Sequence, residues 1–231
     1  MRFCRLGLSA IVLIGLGLIS ADTSVAAEGT VKLTYHQVTQ AQGIYEAYTL
    51  TPSASGYELK LLPIGQDPSV TSIIRTDSLY STLTWEHREP REGTALTAVR
   101  QGNVIRLSGS LRGKRVEKEY RIDSHPWMQG YALQLTGFIL SKEKRTVFWR
   151  INPVDLKITA FSATKTGQVT LTVDGKAVET VHVRISFPGA AGAFWSADSW
   201  FRKLDGRYLR YRGANGPPGT PVTTVELVAE E

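Results

Sequence analysis

Glu86-His87-Arg88-Glu89 gathers a carboxylate, an imidazole and a guanidinium into one short stretch, and these are the groups that general acid–base chemistry uses. A hydrolase built on Glu86 and His87 is the reaction such a pair would support. Neighbouring side chains on a strand leave opposite faces, however, so the two do not converge on one substrate atom, and Pro90-Arg91-Glu92-Gly93 marks a solvated loop directly after them. His36, His125 and His182 stand far apart, and none has the spacing of a metal-ligand pair. No serine elbow, nucleotide fingerprint or calcium loop occurs. A Walker loop would end in Gly-Lys-Ser/Thr before a helix, whereas Gly213-Ala-Asn-Gly216-Pro217-Pro218-Gly219-Thr220-Pro221 runs into an apolar strand-like segment and reads as a rigid turn. The residues therefore predict a non-catalytic protein with no cofactor and no metal.

Aromatic side chains offer more. Phe148-Trp149, Phe194-Trp195 and Trp200-Phe201 are adjacent pairs, and Trp85, Trp127 and Phe138 stand singly. On a strand each pair sends one ring to the core and one to the other face, where the protein itself or a ligand must cover it. The candidate ligand-binding residues are accordingly Trp85, Trp127, Phe138, Phe148, Trp149, Phe194, Trp195 and Trp200. The competing reading is a sheet covered on both faces by its own chain, since large aromatics dominate ordinary cores.

Strands must position these rings. Glu179, Val181, Val183, Ile185 and Phe187 form one face of a stretch whose other face is Val178, Thr180, His182, Arg184 and Ser186, the two-residue period of a half-buried strand. Val169, Leu171 and Val173 lead into it through Asp174-Gly175, a pair that tolerates positive φ in a tight hairpin. Ile105 to Leu111 turns through Arg112-Gly113-Lys114 into Val116 to Ile122, and Thr94 to Arg100 precedes them as the first strand of a meander. Further strands are predicted over 31–38, 43–50, 57–62, 79–87, 146–151, 156–164, 192–201, 207–212 and 220–228. About a dozen strands at close spacing predict a mainly β fold, a large curved antiparallel sheet or partly closed barrel. Met128, Ala132, Leu135 and Ile139 break the pattern with a helical stripe. With Asp123 or Ser124 as cap and Pro126 in the first turn, they predict one helix over 126–141 packed on the sheet.

The 231-residue chain opens with Arg2 and Arg5 around a lone Cys4, then an apolar run from Leu6 to Ile19, then Val25-Ala26-Ala27. That run falls short of the ~20 residues of a spanning helix and has the form of a secretory leader cleaved before Glu28. The prediction is a signal peptide over 1–27, a single β domain over 28–231, and a periplasmic or secreted location with no transmembrane segment after cleavage. Loss of the leader removes Cys4, the only cysteine, so no disulfide is expected. It also removes Arg2, Arg5 and Asp22, leaving 25 basic and 20 acidic residues. The excess is dispersed rather than blocked, which excludes nucleic acid as a partner.

Around Phe148-Trp149-Arg150-Ile151-Asn152-Pro153, Phe194-Trp195, Trp200-Phe201, Asp205-Gly206 and Gly216-Pro217-Pro218-Gly219-Thr220-Pro221, the chain resembles uncharacterised exported bacterial proteins of the domain-of-unknown-function type. In arrangement it is also similar to the periplasmic lipoprotein carriers of the LolA/LolB type, in which a curved antiparallel sheet is partly closed by helices over an apolar cavity. The resemblance implies that architecture and assigns no site residue. The expected function is binding of an apolar or amphipathic envelope molecule, a lipid or lipoprotein. The alternative is a scaffold that docks another envelope protein along a strand edge.

Overall fold

From Val31 onward the two-residue period becomes one strand after another. The computed structural model describes residues 29–64, 67, 69–173, 175–214 and 219–231; the expected leader, Asp174 of the expected hairpin and residues 215–218 of the Gly/Pro turn lie outside them. The strands are β1 (Val31–Thr39), β2 (Gln42–Ser53), β3 (Gly56–Ile64), β4 (Thr71–Thr76), β5 (Thr82–Glu89), β6 (Thr94–Gln101) and β7 (Val104–Leu111). They continue with β8 (Lys114–Arg121), β9 (Arg145–Ile151), β10 (Ile158–Val173), β11 (Lys176–Ser186), β12 (Ser196–Arg202), β13 (Tyr208–Ala214) and β14 (Val222–Glu230).

All fourteen join one antiparallel sheet in the order β8-β7-β6-β5-β4-β3-β2-β1-β14-β13-β12-β11-β10-β9. Two meanders, β1 to β8 and β9 to β14, are thus zipped together by the first and last strands, with Tyr35 opposite Leu227 and Gln37 opposite Val225. The middle of the chain, residues 122–144, must then travel from one sheet edge to the other. The sheet curls without closing, as twist accumulated over so many strands requires, and the expected curved antiparallel sheet with a helix packed against it is what the fold contains.

That edge-to-edge connector holds the curl together. Thr82 N–H at the start of β5 donates to Trp127 O at 2.7 Å, Met128 N–H donates to Trp149 O at 2.8 Å, and Trp149 N–H donates to Pro126 O at 2.8 Å. Trp127 therefore pairs in parallel with Trp149 on the edge strand β9. Gln129 completes the seam from its side chain: Oε1 accepts from Ile151 N–H at 3.1 Å and from Trp127 Nε1 at 3.1 Å, and Nε2 donates to Ile151 O at 2.8 Å. At the opposite margin Tyr120 on β8 donates its hydroxyl to Leu156 O at 2.7 Å.

These pairings correct the expected helix. Residues 126–129 spend their backbone groups on β5 and β9, so helix begins only at α1 (Tyr131–Gln134), bends at Leu135 and finishes as α2 (Thr136–Leu140). Asp123 does not cap it; its carboxylate accepts from His125 N–H at 3.0 Å and from Trp149 Nε1 at 2.9 Å. Gly130 precedes α1, with no side-chain cap, and its N–H is held by Gln134 Oε1 at 2.7 Å. The helix buries Leu133, Gln134, Phe138 and Ile139. Gln134 Nε2 reaches Tyr80 O at 2.6 Å and Thr82 Oγ1 at 2.9 Å, while Thr136 Oγ1 donates to Gly206 O at 3.2 Å. Gly206 is left-handed at φ 70, and a Cβ there would sit 3.0 Å from Thr136.

Other elements also differ from expectation. β4 was not expected; β5 begins at Thr82 rather than Leu79; and a short 3-10 turn over Gly189–Ala193 delays β12 to Ser196. The segments 156–164 and 169–173 fuse into the 16-residue β10, whose register shifts between Lys165 and Gly167.

Candidate functional site

Under the start of the helix the concave face encloses a cavity of about 300 Å³. Its wall comes from three groups of strands: Tyr35, Gln37, Glu46 and Tyr48 on β1 and β2; Leu59, Leu61, Ser72, Ile74, Trp85 and His87 on β3 to β5; Tyr208, Tyr211 and Val225 on β13 and β14. Gln129 to Leu133 form the roof, and Arg150 and Pro153 close the side from β9 and the turn after it.

Strand parity explains most of these positions. Tyr35 and Gln37 share a face, as do Glu46 and Tyr48, and Tyr35 lies opposite Glu46 across the β1–β2 ladder. Tyr208 and Tyr211 should point apart, being three residues from each other. The β12–β13 register slips between Trp200 and Phe201, which pair with Arg210 and Tyr208, so Leu209 is an inserted residue and both phenols reach the same cavity.

The resulting lining is apolar with a phenolic rim. Tyr35 donates its hydroxyl to Tyr208 O at 3.0 Å and meets the Tyr48 ring edge-on at 5.4 Å. Tyr48 donates to Glu46 at 2.9 Å. Burial pushes the phenols of Tyr35, Tyr48, Tyr131, Tyr208 and Tyr211 above their ordinary value, the Glu46 carboxylate adding to the shift of Tyr48. They therefore stay protonated hydrogen-bond donors at neutral pH.

His87 stacks on Trp85 with ring centres 5.6 Å apart and lies 3.4 Å from Glu89. Burial lowers its pKa, against the opposing pull of Glu89. Glu86 leaves the other face of β5 and pairs with Arg75 at 2.8 Å, which also holds Glu58 at 2.9 Å. Glu86 and His87 thus do not share a pocket. Ser72 and His87 do, facing each other across the β4–β5 ladder, but the Ser72 hydroxyl accepts from Trp85 Nε1 at 2.9 Å and no hydrogen bond joins it to His87 among the described residues. Arg150 is unlike the other lining residues. Its guanidinium carbon lies 5.5 Å from the centre of the Tyr131 ring, and its buried Nε has no hydrogen-bond partner among the described residues.

Of the eight aromatic candidates, Trp85 lines the cavity. Trp127 and Phe148, both fully buried, sit behind it: Phe148 stacks on Tyr131 at 5.9 Å and on Phe161 at 5.8 Å. Trp149 faces the other way and is tied to Asp123. Phe138 is buried beneath the helix with the Lys165 ammonium 4.7 Å from its ring centre. Trp195 joins Phe161 and Phe187, a group continuous through Phe161 with the Phe148 stack but outside the cavity lining. Trp200 stacks on His182 at 4.9 Å on the face opposite buried Phe201, and Phe194 is 72% exposed.

His182 belongs to a chain that sequence spacing hid. Thr166 Oγ1 lies 2.8 Å from its Nδ1, and Asp198 Oδ1 lies 2.9 Å from its Nε2. Hydroxyl, imidazole and carboxylate in a row are the parts of a nucleophilic triad, but Thr166 is on an exposed stretch of β10 and none of the three lines the cavity. Among the described residues no group of three or more His, Cys, Asp or Glu could hold a metal ion, and no helix is long and apolar enough to cross a membrane.

No family model matches the chain, and a search of curated proteins finds no match. Among solved structures it is similar to a β-barrel-like protein of the domain of unknown function DUF1849 from Brucella abortus, with TM-score 0.53 and 10% identity over 88% of this chain and 97% of that one. The hypothetical lipoprotein YmcC from Escherichia coli gives TM-score 0.44 and 11% identity, covering 85% of this chain and 83% of that one. A LolA-superfamily protein from Nitrosomonas europaea gives TM-score 0.27 and 7% identity, covering 87% and 84%. The DUF1849 likeness establishes the fold alone. The domain-of-unknown-function architecture that the sequence resembles is therefore the one found.

Proposed function

We propose that this chain is an exported, non-catalytic binding protein that holds an apolar or amphipathic molecule of the cell envelope in the cavity beneath α1. The observation that carries the reading is the cavity itself: a concave, mostly apolar space with a few convergent polar groups is the usual form of a small-molecule site. The secretory pattern of residues 1–27 supports a periplasmic setting for the ligand.

Size narrows the class. At ~30 Å³ for a water- or methylene-sized group, a space of about 300 Å³ takes on the order of ten such groups. One alkyl chain fits, and a multiply acylated lipid anchor does not. Docking of an envelope protein along a strand edge is less well supported. β8 is blunted by exposed Lys114, Arg115, Glu117, Lys118, Glu119 and Arg121, the usual defence of a free edge, and β9 is covered at its centre by the Trp127 bridge.

The test is organic extraction of the protein purified from its own envelope, followed by mass spectrometry. The expected result is a single-chain lipid in near-stoichiometric amount. A protein that comes away empty, and whose native mass equals that of the bare chain, contradicts the proposal.

A further inference from the structure

The fold satisfies most half-buried charges with a partner. Arg202 is held by Asp205 at 2.7 Å and Glu230 at 3.0 Å, Arg207 by Glu230 at 3.1 Å, and Arg210 by Glu226 at 2.8 Å. Arg150 breaks the rule. It forms no ion pair or side-chain hydrogen bond among the described residues, its Nε is shut away from solvent, and its guanidinium lies over the face of Tyr131. A half-buried guanidinium whose Nε is unpartnered and whose neighbours in the wall are the phenol rings of Tyr131 and Tyr211 has N–H groups left for a ligand.

Its placement is fixed rather than incidental. Arg150 lies between Trp149, whose N–H is bound to Pro126 O, and Ile151, whose N–H is bound to Gln129 Oε1. The seam that closes the curl thus aims this side chain at the cavity it lines. The cavity's carboxylate, Glu46, is engaged by Tyr48 and forms no ion pair with Arg150. The two charges mark different places on the wall, one attracting an anion and the other repelling it. The phenols between them are donors.

We infer that Arg150 anchors the negatively charged head, a carboxylate or a phosphate, of a single-chain amphiphile whose alkyl chain lies against Leu59, Ile74, Trp85 and Leu133. This rests on the binding reading above and adds to it a head-group class and an orientation. A planar guanidinium with free N–H groups is suited to either head, since both present paired oxygens.

The experiment is a calorimetric titration of the full exported chain with decanoic acid and with its methyl ester, whose chains match the space beneath α1, on wild type, Arg150→Gln and Arg150→Lys. The acid should bind wild type at least about tenfold more tightly than the ester, the size expected of one charge-assisted contact. Arg150→Gln should lower acid affinity by about the same factor while moving ester affinity less than about twofold, and Arg150→Lys should keep part of the preference. Displacement of decanoate by decyl phosphate then tells which head is preferred, and either preference supports the assignment. Equal binding of acid and ester, or acid affinity untouched in Arg150→Gln, overturns it while leaving the cavity reading intact. Failure of both probes to bind wild type sinks the cavity reading itself. Ester binding by Arg150→Gln reports that the variant is folded; should it not fold, the wild-type comparison and Arg150→Lys decide.

Discussion

The Arg150 guanidinium rests 5.5 Å from the ring centre of Tyr131, so a residue of the last-placed edge strand touches the first residue of the helix that roofs the cavity. β9 and α1 meet there because the connector between the two sheet edges has to cross the concave side. Whatever the cavity holds is bounded by that contact, and the strength of the connector sets how firmly the roof is closed.

Gln134 is the principal fastener of the helix. It is fully buried, and its amide serves Gly130 N–H, Tyr80 O and Thr82 Oγ1. Gln134→Leu keeps the volume and strands those three groups, which should cost about 2–4 kcal/mol. Urea unfolding followed by tryptophan fluorescence measures the loss, and a change within about 0.5 kcal/mol would show that the roof is held elsewhere.

Trp127 carries the seam. Its ring is fully buried and its indole N–H is bound to Gln129, so Trp127→Ala should destabilise by about 3–5 kcal/mol. Amide exchange should quicken in β9 beyond the general loss, because the bridge to Trp149 goes with it. The central ladder between β1 and β14 should keep its relative protection.

Gly206 is required by its backbone. At φ 70 and with Thr136 3.0 Å from the site of a Cβ, Gly206→Ala combines left-handed strain of about 1 kcal/mol with a displaced helix. A total near ~2 kcal/mol by chemical denaturation is expected; an unchanged midpoint would mean that the turn after β12 does not press on the helix.

His87 gives stability a slope in mild acid. Its folded pKa lies below the ordinary 6.5 because burial disfavours the cation. The unfolded chain therefore takes up the proton first, and stability declines as pH falls from 6.5 through the lowered folded value, then levels. His87→Gln should flatten that portion of a denaturation-midpoint profile. Asp123 acts at lower pH: hydrogen bonds from Trp149 and His125 hold its carboxyl at about 2 against an ordinary 3.8. Its contribution is present above 3.8 and lost as pH falls through about 2, so Asp123→Asn should flatten the profile there and nowhere else.

Much of the sheet was legible because side chains on one strand obey a local period. Val181, Val183 and Ile185 are buried in turn, as are Ile105 and Leu107. β4 escaped because Ile73 and Ile74 are adjacent, which masks the alternation in so short a strand. The helix was read too long because Ser124, Pro126 and the apolar stripe from Met128 all favour an early start, and no local signal reveals that β5 and β9 claim residues 126–129 first. The cavity was the least legible feature. Tyr35, Tyr48, Tyr208 and Tyr211 occur singly, and the slip that turns Tyr208 inward beside Tyr211 belongs to a pairing of strands rather than to any window of sequence. Adjacent aromatic pairs are the more conspicuous local signal, yet most of those rings fill core or surface positions around the cavity. Arg150 stood next to one of them, but a lone arginine becomes informative only when its lack of a counter-charge can be seen.

Ala132 on the roof faces the cavity, so Ala132→Trp fills the space without touching the seam. The most direct measurement is titration of wild type and Ala132→Trp with an apolar fluorophore. Saturable one-to-one binding by wild type, abolished in a variant that unfolds with the same cooperativity, is the predicted result. Saturable binding that survives in the filled variant, or none in wild type, would contradict a ligand site beneath α1.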